Sequence, residues 1–133
     1  MDIRRPAPTV SGLAFVAPAL LLLAACATPG AGRAVAADRP FTMVPGETVA
    51  LPDASRLRYV EVAADSRCPV DVVCIRAGDA DVVFGFTAAG NGEQRVTVNT
   101  DAKAPTPIGA WQLRLLALAR GDAPTATLQV SAR

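Results

Sequence analysis

The chain has 133 residues, with 13 lysines and arginines against 12 aspartates and glutamates and no histidine. That length provides one ordinary domain, and the missing histidine removes the commonest general base and the commonest transition-metal ligand, so most catalytic templates cannot be filled. Its arginines, from Arg33 to Arg120, are spread among acids instead of forming a basic stripe with interleaved aromatics, so nucleic acid is not an expected partner.

The apolar fraction of 51% is raised by an N-terminal run and by many alanines, yet enough Val, Leu, Ile and Phe remains downstream to bury a core. Arg4 and Arg5 precede that run, Leu13 to Ala25 (LAFVAPALLLLAA), which only Pro18 interrupts. It falls short of the roughly 20 apolar residues of a membrane span, and Pro18 would break a helix there, so it reads as an export signal. The Pro-Ala-Pro-Thr after the arginine pair lacks the apolar consensus of a twin-arginine signal.

Leu23-Ala24-Ala25-Cys26 resembles the lipobox of bacterial lipoproteins at all four positions. The resemblance implies a signal peptide over residues 1–25, cleavage before Cys26, and a diacylglyceryl group on the Cys26 thiol with an acylated new N-terminus. It also implies that Ala27, in place of aspartate, directs the protein to the periplasmic face of the outer membrane in an organism that has one. Two or three acyl chains, at about 0.8 kcal/mol per buried methylene, give an anchor that rarely releases. The competing reading is an ordinary leader cut after Ala25-Cys26-Ala27 or Ala34-Val35-Ala36. Removing residues 1–25 also removes Asp2, Arg4 and Arg5, which leaves acids and bases equal in number.

Residues 26–40 are expected to form the lipidated cysteine and a flexible tether, because Ala27 to Pro40 (ATPGAGRAVAADRP) is a run of small residues with Pro and Gly at either end. Its reach as a coil is roughly 20 Å. Residues 41–133 then alternate short apolar segments with turn chemistry, which predicts an all-β fold, a small antiparallel β-sandwich or barrel. Phe41 to Val44 and Thr48 to Leu51 flank Pro45-Gly46, a pair suited to a type II turn. Leu57 to Val62 follows Pro52-Asp53. Ala80, Val82, Phe84 and Phe86 alternate with Asp81, Gly85 and Thr87, predicting a half-buried strand. Gly90-Asn91-Gly92 turns it into Val96 and Val98 to make a hairpin. Trp111 to Arg120 (WQLRLLALAR) mixes helix-favouring composition with strand-like alternation and is assigned as strand. Leu128 and Val130 complete the sheet.

Three cysteines in an exported chain leave one odd residue. Lipidation of Cys26 removes it, so Cys68 and Cys74 are expected to form a disulfide. A metal site would compete, but five intervening residues is not the usual ligand spacing and no further Cys or His completes a shell. No cofactor is expected. The run Asp65-Ser66-Arg67-Cys68-Pro69, then Cys74-Ile75 and Ala77-Gly78, resembles a signature of small bacterial lipoproteins of uncharacterised function, approximately DSRCP, four residues, CIWAG, followed by an alternating strand. The resemblance spans about 20 residues and implies a β fold and an envelope location. Arg76 stands where that pattern carries tryptophan.

From its residues alone the segment is a stapled connection: Asp65 and Ser66 can bond local amides, Pro69 fixes a dihedral, and Gly78 permits a turn into the next strand. A functional reading takes Arg67 and Arg76, with Asp65 beside them, as rigidly presented recognition groups for a carboxylate or phosphate. Asp79 and Asp81 share a strand face, a pattern that could serve calcium or acid/base chemistry but lacks the calcium-loop spacing, so both are assigned as solvated edge residues. Without histidine or a Ser-x-x-Lys arrangement no nucleophile is activated, and no enzyme is expected. The expectation is a membrane-anchored envelope lipoprotein with a noncatalytic β binding domain, its partner an envelope protein or cell-wall component. The alternative is a periplasmic inhibitor of a protease- or lysozyme-type hydrolase.

Overall fold

A computed structural model describes residues 32–133; the expected signal peptide, Cys26 with its lipobox, and residues 26–31 of the expected tether lie outside the described residues. Among the described residues there is no helix, and nine strands succeed one another. They are β1 (Arg33–Ala34), β2 (Phe41–Met43), β3 (Thr48–Ala50), β4 (Arg56–Asp65), β5 (Ala80–Thr87), β6 (Gln94–Asn99), β7 (Thr106–Ile108), β8 (Trp111–Leu118) and β9 (Ala126–Ala132). One sheet has the order β1-β3-β4-β5-β6 and the other β2-β9-β8-β7. Every pairing is antiparallel except β1 with β3.

The alternation seen in the sequence places one set of side chains between the sheets, as period-two patterning requires. Met43, Leu57, Tyr59, Val82, Phe84, Leu113, Leu128 and Val130 belong to a single core cluster drawn from both sheets. The protein is therefore an all-β sandwich. The Tyr59 and Phe84 rings pack at 5.4 Å between centroids, tilted by 38°. A buried phenol needs a partner, and the Tyr59 hydroxyl donates to the Pro124 carbonyl at 2.8 Å. Burial raises the Tyr59 pKa, with the nearby Arg67 charge opposing.

The expected strand over Ala80–Phe86, its hairpin to the following strand and the strand from Trp111 all form. Pro45-Gly46 also makes its turn: the Glu47 N–H bonds the Val44 carbonyl at 3.0 Å, with Gly46 at φ 87°. That turn passes the chain from one sheet to the other, since β2 and β3 belong to different sheets.

Two expectations need correction. The tether does not extend to Pro40, because β1 pairs with β3, Val35 is buried in the core, and its N–H bonds Ala50 while that of Asp38 bonds Val130. Composition reads this run as low complexity; Val35 supplies the apolar contact that docks it. Nor is β5 half-buried, for Val83 and Gly85 on its outer face are covered as well. Long side chains do the covering. Arg58 and Glu61 of β4 flank that face, and they pair with Glu93 at 2.6 Å and with Arg95 at 3.7 Å.

Candidate interaction loop

Between β4 and β5 the chain leaves the sheet at Asp65 and returns at Ala80, residues that face each other in the ladder. The pairing continues a little way into the connection, with the Ser66 N–H on the Asp79 carbonyl and the Cys68 N–H on the Ala77 carbonyl, each at 2.8 Å. Gly78 makes this possible: its φ is 67°, and a Cβ there would overlap the Ser66 carbonyl.

Cys68 and Cys74 are joined by a disulfide, with their Cα atoms 5.8 Å apart. Arg67 fixes the base. Its guanidinium donates to both Asp65 carboxylate oxygens (2.9 and 2.6 Å) and to the carbonyls of Leu118 (2.7 Å) and Ala119 (3.0 Å), which lie at the end of β8 in the other sheet. The Arg67 side chain keeps only 11% of its surface exposed. Bidentate bonding by Arg67 pulls the Asp65 carboxyl down to about 2.

A second clamp closes the other side of the base. The two N–H groups of the Asn99 amide reach Asp79 (2.6 Å) and Asp81 (2.8 Å), so the side chains expected to share a face do so and are bridged there. The Ser66 hydroxyl bonds Asp79, and Thr100 bonds both polar groups of the Ala80 backbone. Among the described residues no group of three or more acids and cysteines is arranged to hold a metal ion.

Beyond this base the loop turns outward, and its large side chains are bare. Val70 is 79% exposed, Val72 57%, Val73 100% and Ile75 105%. Among the described residues, only Val44 and Leu116 join them as exposed large apolar side chains. A disulfide closed over five residues encloses no interior, so these side chains have nowhere to bury. That signal was available in the sequence, where valines bracketed by the two cysteines could have been assigned to the surface. The structure redistributes the expected recognition residues. Asp65 and Arg67 face each other and hold the loop, so Arg67 is not an outward donor. Arg76 is exposed at the loop's edge, beside Ser66, Gly78 and Asp79, and bonds none of the described residues.

Fold and loop together define a β-sandwich domain that presents a disulfide-stapled apolar tip. Compared with known proteins, the chain matches no family model, no curated protein and no solved structure.

Proposed function

We propose that the chain is an envelope lipoprotein, anchored through lipid on Cys26, whose β domain is a noncatalytic binding module that makes its contact with the stapled loop. The observation that carries this reading is the full exposure of Val73 and Ile75 on a loop fixed at its base by Arg67 and across its middle by a disulfide. Bare aliphatic side chains on a prefixed support lose little freedom on binding, so most of their burial contributes to affinity. The anchor rests on the export signal and lipobox resemblance in residues 1–26. Ala27 favours the periplasmic face of an outer membrane.

Metabolic palmitate should label the wild type but not Cys26→Ser, and the variant should leave the membrane fraction. Affinity isolation from the native envelope should recover a component that Val73→Asp/Ile75→Asp loses. Equal labelling of Cys26→Ser, or recovery unchanged by the double substitution, would overturn the anchor or the loop respectively.

A second reading, a periplasmic inhibitor of a hydrolase, is favoured by the disulfide across a short loop of exposed side chains, a rigid projection of the kind a concave site admits. It requires that the isolation recover one hydrolase, tightly and in equal amount.

A further inference from the structure

We infer that the apolar tip of the stapled loop seats in the surface of the same bilayer that holds the N-terminal lipid; the inference rests on the anchoring proposed above and names the loop's partner. Strand directions carry it. β1 runs parallel to β3, and β4 runs against both. The chain therefore enters β1 from the end of the sheet toward which β4 descends. That is the end where the loop projects.

The distances agree with this placement. Gly32 lies beside Thr48, which is level with Arg58 and Gly85 in the ladder. From Gly85 to Ala80, where the loop rejoins the sheet, is five residues of strand, roughly 17 Å. Six residues of chain from Gly32 back to Cys26 reach at most roughly 20 Å. A lipid on Cys26 thus holds the loop end of the sandwich against the membrane surface, and the face presented there is Val70, Val72, Val73 and Ile75.

The chemistry of the tip suits a bilayer better than a protein. Contact hot spots between proteins are dominated by Trp, Tyr and Arg, whereas this tip is aliphatic apart from Arg76 and Asp71, whose charges cancel. A bilayer interface requires only apolar volume, and Arg76, exposed at the loop's edge, is placed to meet a phosphate headgroup while its stem stays among the chains.

The test uses the lipidated full chain in phosphatidylethanolamine–phosphatidylglycerol vesicles with brominated acyl chains, which quench tryptophan on contact. The sole native tryptophan, Trp111, begins β8 at the end opposite Leu118 and the loop, so it serves as an internal reference. Val73→Trp should add emission of which more than half is quenched, while wild-type emission stays within a tenth of its value. Adding Ile75→Asp to Val73→Trp should remove the quenching. Palmitate-labelled protein whose added tryptophan is not quenched, or a photo-crosslinker at position 73 that captures protein and no lipid, would overturn the inference and leave the anchor standing. Unlabelled protein would overturn the anchor; its loop contact then stands only if the protein floats with vesicles and Val73→Asp/Ile75→Asp lowers flotation at least tenfold, and falls otherwise.

Discussion

The Tyr59 hydroxyl reaches the Pro124 carbonyl, 65 residues further along the chain, at 2.8 Å in the buried interior. This bond ties β4 of one sheet to the approach to β9 in the other, beside the base of the stapled loop. Tyr59→Phe keeps the ring and its packing on Phe84 but leaves the Pro124 carbonyl without its donor. Chemical denaturation should show a loss of about 1–2 kcal/mol with an unchanged denaturant slope.

Arg67 supports the same region from outside the core. Arg67→Met preserves much of the aliphatic stem while stripping donors from two carbonyls and a carboxylate, and should cost about 2 kcal/mol at pH 7. Its partner makes the effect depend on acidity. The Asp65 carboxyl titrates at about 2 in the folded protein, below its ordinary 3.8, so the unfolded chain takes up the proton first. The stabilisation is complete above pH 3.8 and is lost as pH falls through 2. Since this carboxylate is 39% exposed, solvent screening holds the contribution to about 1 kcal/mol or less. Denaturation of wild type and Asp65→Asn should differ at pH 7 and converge near pH 2. Taking the difference cancels the parallel acid response of Asp53, lowered by Ser55, and of Glu93, lowered by Arg58.

Removing the staple tests the middle of the loop. Mass spectrometry of nonreduced protein should show Cys68 and Cys74 linked within one peptide. Serine at both positions should lower stability by about 2 kcal/mol, because the unfolded chain regains the freedom of a short closed loop. Free thiols in protein from an oxidising compartment would contradict the assignment.

Gly85 and Glu93 make a coupled pair. A Cβ on Gly85 would run into the Glu93 carboxylate, which lies over it while receiving two hydrogen bonds from Arg58. Gly85→Ala should therefore destabilise the wild type by up to about 1 kcal/mol, through displacement of a flexible ion pair. In a Glu93→Ala background the same change should be neutral or stabilising, since alanine restricts the unfolded chain more than glycine does. A double-mutant cycle with additive effects would count against the contact.

The sandwich was legible because strands facing a core advertise it by alternation, as Ala80, Val82, Phe84 and Phe86 do. Even Trp111–Leu118, whose composition favours helix, follows its alternation, since pairing with β9 buries Leu113 while Arg114 stays exposed. What escaped the sequence were effects between distant residues. Nothing near Arg33 or Val35 indicates that β3 awaits an edge partner. The outer cover of β5 comes from side chains on β4, on the turn leading into β6 and on β6 itself, invisible in the β5 pattern. At the loop, the disulfide follows from counting cysteines, but the role of Arg67 does not. Its carbonyl partners lie 51 and 52 residues away, beyond the reach of any local sequence pattern.

The two-residue strand at the start of the described chain also has a mechanical meaning. A pull entering through Gly32 along the strand direction would load β1 against β3 in shear, so that its backbone bonds strain together instead of opening one at a time. From β1 in one sheet Arg33 adds a cross-brace, its guanidinium gripping the Thr42 carbonyl on β2 of the other sheet at 2.7 Å and the Glu47 carboxylate in the turn between the sheets at 3.1 Å. Tension on the N-terminal chain is thereby passed from β1 both to β3 beside it and to β2 in the opposite sheet.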